Sequence, residues 1–141
     1  MPDRARVMDF VATVVSGDHV GAIEHFYHED ATMQENRNTP RRGRELLMAH
    51  EARVLSRIKH MHTHPAEVVL VDGDNVAIRW TFDRIGHDGQ VHRLEEVALQ
   101  MWKADRIQHE RFFYDTASAW FEVEPPGKKS GHHGSLWQTL R

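Results

Sequence analysis

Two long strand-like segments in the C-terminal half of the chain constrain its fold most. Residues 91–102 and 107–115 are joined by a short polar connection, and successive side chains of a strand point to opposite faces. One face of the first segment carries Glu96, Ala98, Gln100 and Trp102. The other face carries Glu95, Val97, Leu99 and Met101. Because both faces include apolar groups, the segment suits a strongly bent sheet, with helices on its concave side and something else, such as a second subunit, on its convex side.

The residues before this strand pair predict helices first and strands afterwards. Apolar residues that recur at three- and four-residue spacing indicate the buried stripe of a helix, whereas alternation indicates a strand. The predicted helices cover residues 4–15, 19–27 and 44–59. The predicted strands cover residues 31–36, 60–71 with a break near Pro65, and 76–82. This order predicts an α+β architecture in which the last four strands are antiparallel and linked by hairpins.

Composition narrows the class of protein. A chain of 141 residues with 40% hydrophobic residues can fill one substantial core. The net charge of −3 provides no basic surface for nucleic acid or an anionic membrane, so neither is an expected partner. The absence of cysteine excludes disulfides and a cysteine nucleophile. It fits a reducing compartment, and the N-terminus does not resemble a signal peptide, so we expect a cytoplasmic protein.

The C-terminal stretch differs in composition from the rest of the chain. We expect residues 1–121 to form one domain and residues 122–141, which are poor in core-forming residues, to form an extension. Leu136, Trp137 and Leu140 nevertheless return at helical spacing. The extension is therefore expected to dock, either on its own domain or on the partner of a dimer.

Three short motifs, together with the order of elements, resemble the nuclear transport factor 2-like superfamily, and within it the branch related to SnoaL-type polyketide cyclases. The motifs are Asp30-Ala31-Thr32, Gly43-Arg44-Glu45 and residues 111–115, and the resemblance covers residues 4–120. It implies a cystatin-like α+β barrel: a cone-shaped, curved, mixed or antiparallel sheet wrapped around N-terminal helices. It also implies a pocket between sheet and helices, and a homodimer. The fold hosts isomerases, cyclases, dehydratases and epoxide hydrolases as well as proteins without chemistry, so it does not imply one activity.

The ketosteroid isomerases of the same superfamily allow a comparison of single positions. Glu35 falls on the position of their general base, so the resemblance implies that a carboxylate is kept there. Phe10 and Ala98 fall where those enzymes place the two hydrogen-bond donors of the oxyanion hole. Losing such a donor costs on the order of a hundredfold or more in rate. Ketosteroid isomerisation by that mechanism is therefore not expected, although Glu35 remains the best candidate base.

Glu96 and Glu110 are the next candidates for acid/base chemistry. The comparison places both on the pocket side of the last two strands. If the strands bring them together in a low-dielectric wall, one should hold its proton near neutrality. The alternative is that each forms an ion pair with Arg79, Arg93 or Arg111 at the rim, where such pairs contribute about 0–1 kcal/mol. For Glu35 the alternative is that the acidic turn around it has no chemical role.

Three further polar residues complete the candidate site. His50 lies on the apolar side of the third helix, where it could partner Glu35 as acid or orienting group, or could be a satisfied core histidine. Asp115 could match a late acid/base aspartate of SnoaL-like cyclases, or could cap the turn that follows it. Tyr114 is expected to form pocket wall rather than to act as a donor.

The remaining assignments concern ligand, metal and partner. The expected ligand-binding residues are Phe10, Phe26, Trp80, Ala98, Gln100, Phe112 and Tyr114, because such pockets are mostly apolar. His60, His62 and His64 share a face but span about 13 Å, too far to bind one ion together, so we assign no metal and no cofactor. A homodimer is expected to form through the outer face of the sheet, which carries Val97, Leu99 and Met101.

Two functions remain open from the sequence. In the first, the pocket binds a small hydrophobic molecule and catalyses proton transfer next to a carbonyl, as in isomerisation, cyclisation or dehydration. In the second, the protein is a ligand-binding or dimer-scaffold protein without catalysis. Several titratable groups converging in the pocket would favour the first, and a single polar anchor would favour the second.

Overall fold

The computed structural model describes residues 1–125, which form three helices and eight strands. The helices are α1 Arg4–Val15, α2 His19–Phe26 and α3 Arg44–Ser56. The strands are β1 Tyr27–Glu35, β2 Arg41–Arg42, β3 His60–Thr63, β4 Val68–Asp72, β5 Asn75–Ile85, β6 Val91–Lys103, β7 Arg106–Phe113 and β8 Phe121–Val123. None of the helices in this part of the chain is long and apolar enough to cross a bilayer.

All eight strands belong to one sheet. Its order is β2-β1-β7-β6-β5-β3, with β4 paired to β5 and β8 paired to β6. Only the β1–β7 pair is parallel among these strands, so the sheet is mixed. The predicted α+β fold of helices on a mixed sheet is therefore confirmed.

The interruption near Pro65 lets two short strands share one edge of β5. β3 pairs with the end of β5, up to Thr63 opposite Phe82, and β4 pairs with its beginning, from Val68 opposite Arg79. A proline cannot donate a ladder hydrogen bond, so the pairing stops between them. The predicted break is confirmed.

The strand bounds differ most from the sequence prediction at β1, β2 and β8. β1 begins at Tyr27, four residues earlier than predicted, because Tyr27 is buried against the helices. β2 and β8 were not predicted, since two or three residues are too few to show alternation. β8 pairs with the start of β6 and so crosses the expected boundary at residue 121. Leu136, Trp137 and Leu140 lie outside the described residues, and the docking of the extension stays a prediction.

The core lies between the helices and the inner face of the sheet. Phe10 of α1 is at its centre, with ring centroids 5.5 Å from Phe26, 6.1 Å from Tyr27 and 6.2 Å from Trp102, all in edge-on packing. The alternation predicted for β6 holds from Leu94 to Lys103. Its inner residues are buried, namely Leu94, Glu96, Ala98, Gln100 and Trp102. Its outer residues Val97, Leu99 and Met101 are 42%, 46% and 42% exposed in the single chain.

A buried aspartate ties β5 to its neighbours on both sides. Asp83 is 3% exposed and accepts two hydrogen bonds from the Arg93 guanidinium, at 2.8 and 3.0 Å. Its Oδ2 also lies 2.7 Å from Nε2 of His64. Burial alone would raise the pKa of Asp83, but the bonds from Arg93 and His64 outweigh it and hold the pKa below its usual value.

We expect Asp83→Asn to lower the free energy of unfolding by about 2 kcal/mol, because it removes the buried negative charge that Arg93 and His64 contact. Urea unfolding at pH 7 measures this. Asp72→Asn, at an exposed aspartate of β4, is the matched control and should change stability by less than about 0.5 kcal/mol. Equal stability of the two variants would contradict a structural role for Asp83.

Candidate functional site

A cavity of about 170 Å³ lies between the helices and the inner face of the sheet and opens to solvent. Its apolar walls are formed largely by aromatic side chains, namely Phe10, Trp80, Phe82, Phe112 and Trp120. The sheet contributes Tyr27, Glu35, Arg41, Glu96 and Glu110 to its polar lining, and the helices contribute His19, His50 and Glu51. The structure thus brings together four of the five predicted acid/base residues, all except Asp115.

Glu35 is the last residue of β1, and both of its carboxylate oxygens are held. Arg41 of β2 donates to Oε2 at 3.1 Å, and the hydroxyl of Tyr114 donates to Oε1 at 3.0 Å. Burial and the charge of Glu35 raise the pKa of Tyr114 to about 12, so this phenol keeps its proton. Tyr114 is therefore a donor to Glu35 and does not line the cavity, which reverses its expected role.

Glu96 lies on β6 and is 8% exposed. Within residues 1–125, its Oε2 is a buried atom without a hydrogen-bond partner. Burial raises the pKa of Glu96 well above its usual value, and the charges of Glu110, Glu35 and Glu51 raise it further. Burial thus favours the protonated form of Glu96, and one of its oxygens has no hydrogen-bond partner among the described residues.

Glu110 lies on β7, is 3% exposed, and is bonded by two neutral donors. The Tyr27 hydroxyl donates to Oε1, and the Gln100 amide donates to Oε2 at 2.6 Å. Trp102 in turn donates to the amide oxygen of Gln100 at 2.9 Å. Burial raises the pKa of Glu110 to about 7 against the lowering effect of the two donors. The alternative of a rim ion pair does not describe Glu110, because the site is buried and its partners are uncharged.

The helix side of the cavity carries two histidines. Nε2 of His19 lies 2.8 Å from Oγ1 of Thr63, and its Nδ1 lies 3.6 Å from Oε1 of Glu51. His50 was expected to partner Glu35, but the two hydrogen bonds to Glu35 come from Arg41 and Tyr114. Burial, followed by the positive charge of Arg41, lowers the pKa of His50, so its imidazole is neutral at pH 7.

Several predicted site residues lie outside the cavity. Asp115 is exposed and accepts hydrogen bonds from the Ala117 amide and the Ser118 hydroxyl, so it stabilises a turn, as the structural alternative held. Phe26, Ala98 and Gln100 do not line the cavity: Phe26 packs behind Phe10, Ala98 is covered completely, and Gln100 supports Glu110.

The cavity residues that the sequence analysis missed include four polar ones, His19, Tyr27, Arg41 and Glu51, and also Trp120. Trp120 is the least expected, since it follows β7 and has a positive φ of 58°. Such a backbone is strained for a tryptophan. The guanidinium of Arg84 covers its ring at 4.6 Å and helps to hold it.

The histidine cluster does not assemble a metal site. The rings of His62 and His64 are 4.7 Å apart, and His64 bonds Asp83. In the part of the chain that the structure describes, no group of three or more His, Cys, Asp or Glu side chains could hold a metal ion.

Comparison with known proteins places the chain among relatives of the same architecture. Residues 7–110 match the pattern of the SnoaL-like domain. The chain belongs to the SnoaL-like domain family. No curated protein sequence matches it.

Solved structures with this fold include members named for several activities. A protein from Mesorhizobium loti named as a SnoaL-like polyketide cyclase is 27% identical over 81% of this chain and 100% of its own, with a TM-score of 0.67. One from Pseudomonas putida KT2440 named as a polyketide cyclase is 18% identical, over 88% and 99% of the two chains, with a TM-score of 0.71. An epoxide hydrolase of Mycobacterium tuberculosis is 15% identical, over 82% and 84%, with a TM-score of 0.68. The latter two show the fold alone.

The raised pKa of Glu110 makes the stability of this SnoaL-like domain depend on pH. Between the ordinary pKa of 4.5 and about 7, the folded protein keeps a proton that the unfolded chain releases, so stability falls as pH rises. Glu110→Gln removes this dependence. At about 1.4 kcal/mol per pKa unit, the variant should gain up to about 3 kcal/mol relative to wild type between pH 5 and pH 8.

Urea unfolding at the two pH values measures the gain. Glu67→Gln, at an exposed glutamate, is the control, and its free energy of unfolding should stay within about 0.5 kcal/mol of the wild-type value at both pH values. A Glu110→Gln difference that does not change with pH would show that the Glu110 carboxyl ionises in the folded protein as it does in the unfolded chain.

Proposed function

We propose that this SnoaL-like domain binds a small, mainly hydrophobic carbonyl compound in the cavity and catalyses proton transfer at the carbon next to the carbonyl. Isomerisation, cyclisation and dehydration are reactions of this type. The observation that carries the proposal is the presence of two different carboxyl groups in one largely apolar cavity: Glu96, which is buried with one oxygen lacking a partner, and Glu35, whose two oxygens are held by Arg41 and Tyr114. Two carboxyl groups in unlike environments can serve as an acid and a base.

Glu35 is the proposed base. Arg41 and Tyr114 fix the orientation of its carboxylate. A base positioned in this way typically increases the rate of a proton transfer about a hundredfold to ten-thousandfold. His50, as a neutral imidazole lining the same cavity, is a secondary polar contact.

Glu96 is the proposed hydrogen-bond donor to the carbonyl oxygen. Removing a proton next to a carbonyl pushes negative charge onto that oxygen, and a neutral acid in a low-dielectric wall stabilises the charge as it develops. Ala98 lacks this group, but Glu96 lies on the same face of β6, two residues earlier. Glu96 therefore compensates for the donor missing at Ala98, while Glu110 supports the wall beside it.

The cavity limits the size and shape of the ligand. An engineered protein cavity of about 150 Å³ is known to hold benzene, so about 170 Å³ with an open mouth suits one ring with short substituents. Phe10, Trp80 and Phe112 supply flat apolar contacts. A non-catalytic binder would need one polar anchor, whereas four glutamates line this cavity, and this favours the catalytic function.

We further propose that the protein is a homodimer through the outer face of β6. Val97, Leu99 and Met101 form an exposed apolar row there, and Phe113 of β7 lies opposite Val97 and is also exposed. Burying such a row against a second copy removes apolar surface from water, at about 25 cal/mol per Å².

We expect hydrogen–deuterium exchange at the carbon next to the carbonyl of 3-phenylbutan-2-one in D2O, followed by proton NMR. Glu35→Gln should slow the catalysed exchange at least about a hundredfold, because it removes the base. Glu96→Leu should slow it about tenfold to a hundredfold, because it removes the donor. Glu67→Gln is the control. No exchange above the buffer rate with wild type, or undiminished exchange with Glu35→Gln, contradicts the proposal.

We expect the wild-type protein to sediment as a dimer and Leu99→Lys to sediment as a monomer, because a charge in the apolar row opposes its burial. Leu46→Lys, at an exposed leucine of α3, should leave the dimer intact. Sedimentation velocity measures both. A wild-type monomer, or a Leu99→Lys dimer as tight as wild type, would rule out this interface.

A further inference from the structure

The Glu51 carboxylate lies in the cavity wall without a lysine or arginine partner. Glu51 belongs to α3, lines the cavity, and its side chain is 25% exposed. Its contact with Nδ1 of His19 is 3.6 Å, which is longer than a hydrogen bond. Within residues 1–125, neither oxygen of Glu51 takes part in a hydrogen bond, and no lysine or arginine forms an ion pair with it. Both oxygens are therefore free to interact with a ligand.

The charged residues that line the cavity are mostly of one sign. In the part of the chain that the structure describes, four glutamates and one arginine line it, and that arginine, Arg41, is bonded to Glu35. Burial is the largest cause of the raised pKa values of Glu96 and Glu110, and the charge of Glu51 also acts to raise both. The charge of Glu51 thus acts across the cavity, and a positively charged ligand would offset it.

Aromatic rings lie on the same side of the cavity as Glu51. The His19 ring lies beside the Glu51 carboxylate and also packs edge-on against Phe82, with a centroid distance of 5.7 Å. The Trp80 ring is 5.6 Å from Phe82 and tilted by 31° to it, and both rings line the cavity. Aromatic rings attract cations to their negative faces, and tryptophan does so most strongly. A carboxylate and aromatic rings in one wall are together complementary to an organic cation.

Glu96 gives independent evidence that the cavity is a binding site. Its side chain lines the cavity and is buried, with 8% of its surface exposed. One of its oxygens has no hydrogen-bond partner among residues 1–125. Because buried polar atoms in proteins are nearly always hydrogen-bonded, such an atom in a cavity wall indicates a ligand that supplies the missing partner.

An alkylammonium group fits this wall better than other charged groups do. An anion would be repelled by the excess of glutamates. A bare metal ion needs several ligands, and no group of three or more His, Cys, Asp or Glu side chains among residues 1–125 could hold one. An alkylammonium group instead pairs with one carboxylate and packs its methyl groups against aromatic rings.

We infer that the cavity binds a ligand that carries an alkylammonium group, with Glu51 as its anionic partner and the rings of Phe82 and Trp80 as its aromatic wall. For the reaction, this makes the substrate an amino ketone instead of a simple ketone, and that extension rests on the proposed function. Binding itself needs only charge and ring contacts. One aromatic ring with a trimethylammonium group is within the size that a cavity of about 170 Å³ with an open mouth suits.

Two probe molecules of the same shape test the inference. 3-Hydroxyphenyltrimethylammonium and 3-tert-butylphenol differ only in a nitrogen or carbon centre, and hence in charge. Isothermal titration calorimetry at pH 7 should show that the wild-type protein binds the cation at least about tenfold more tightly than the neutral probe.

Variants of the wall locate the binding. In Glu51→Gln, affinity for the cation should fall about tenfold while affinity for 3-tert-butylphenol stays within about twofold, because only a charge is lost. Phe82→Leu should reduce the ratio of the two affinities about threefold, because leucine keeps an apolar contact and loses the aromatic face. Glu45→Gln, at an exposed glutamate of the same helix as Glu51, is the matched control and should change neither affinity.

The other outcomes overturn the inference. These are equal affinities of wild type for the two probes, no binding of either probe, and a preference for the cation that Glu51→Gln retains. An equal loss of both probes in Glu51→Gln also overturns it, because a purely structural role of Glu51 gives that result.

Proton exchange of 3-phenylbutan-2-one by the same protein tests the proposed function separately. Exchange without a preference for the cation removes the inference and leaves the proposed function standing. A preference for the cation without exchange leaves the ammonium site standing and overturns the amino ketone as substrate together with the proposed function.

Discussion

The hydrogen bonds that Tyr27 and Gln100 donate to Glu110 are the interaction on which the inner face of the sheet depends. Tyr27 begins β1, Glu110 lies on β7 and Gln100 on β6, so one carboxyl group links three neighbouring strands under the helices. A buried carboxyl group without such donors would be strongly destabilising. The donors stabilise the buried carboxyl group and lower its pKa, but burial has the larger effect and raises the pKa of Glu110 to about 7.

The effect of burial on carboxyl groups also explains how four glutamates share one cavity. If all were charged, their repulsion would oppose folding, but burial raises the pKa values of Glu96 and Glu110 and so favours their protonated forms. Glu35 has the guanidinium of Arg41 beside it. In the proposed function, one residue type serves as structural support, as hydrogen-bond donor and as proton acceptor, according to its position.

Much of the fold could be predicted from the sequence because the spacing of apolar residues follows the geometry of helices and strands. Two-residue alternation separated Glu96 from Val97 and Leu99 on β6, and the resemblance to ketosteroid isomerases implied that Glu96 and Glu110 face the pocket; the structure has these residues on those faces. Helical spacing located α1 closely, and Pro65 located the break between β3 and β4.

The candidate site was predictable only in part, because its contacts join distant positions. His19 and Thr63 are 44 positions apart, and no local pattern pairs them. Arg41 reaches Glu35 through a strand of two residues, too short to be recognised. Asp115 and Tyr114 show the remaining difficulty, because the chain turns after Phe113. Asp115 was a candidate acid/base residue but stabilises a turn. Tyr114 was expected to form pocket wall but donates to Glu35.

Trp120 has a consequence for how such domains diversify. The residues that match the family end at 110, yet Phe112 and Trp120 line the cavity and Tyr114 supports its base. Part of one wall is thus supplied by a segment outside the shared pattern, anchored by the short pairing of β8 with β6. A change in this segment would therefore alter which molecules the cavity admits without altering the sheet, the helices or the buried carboxyl groups.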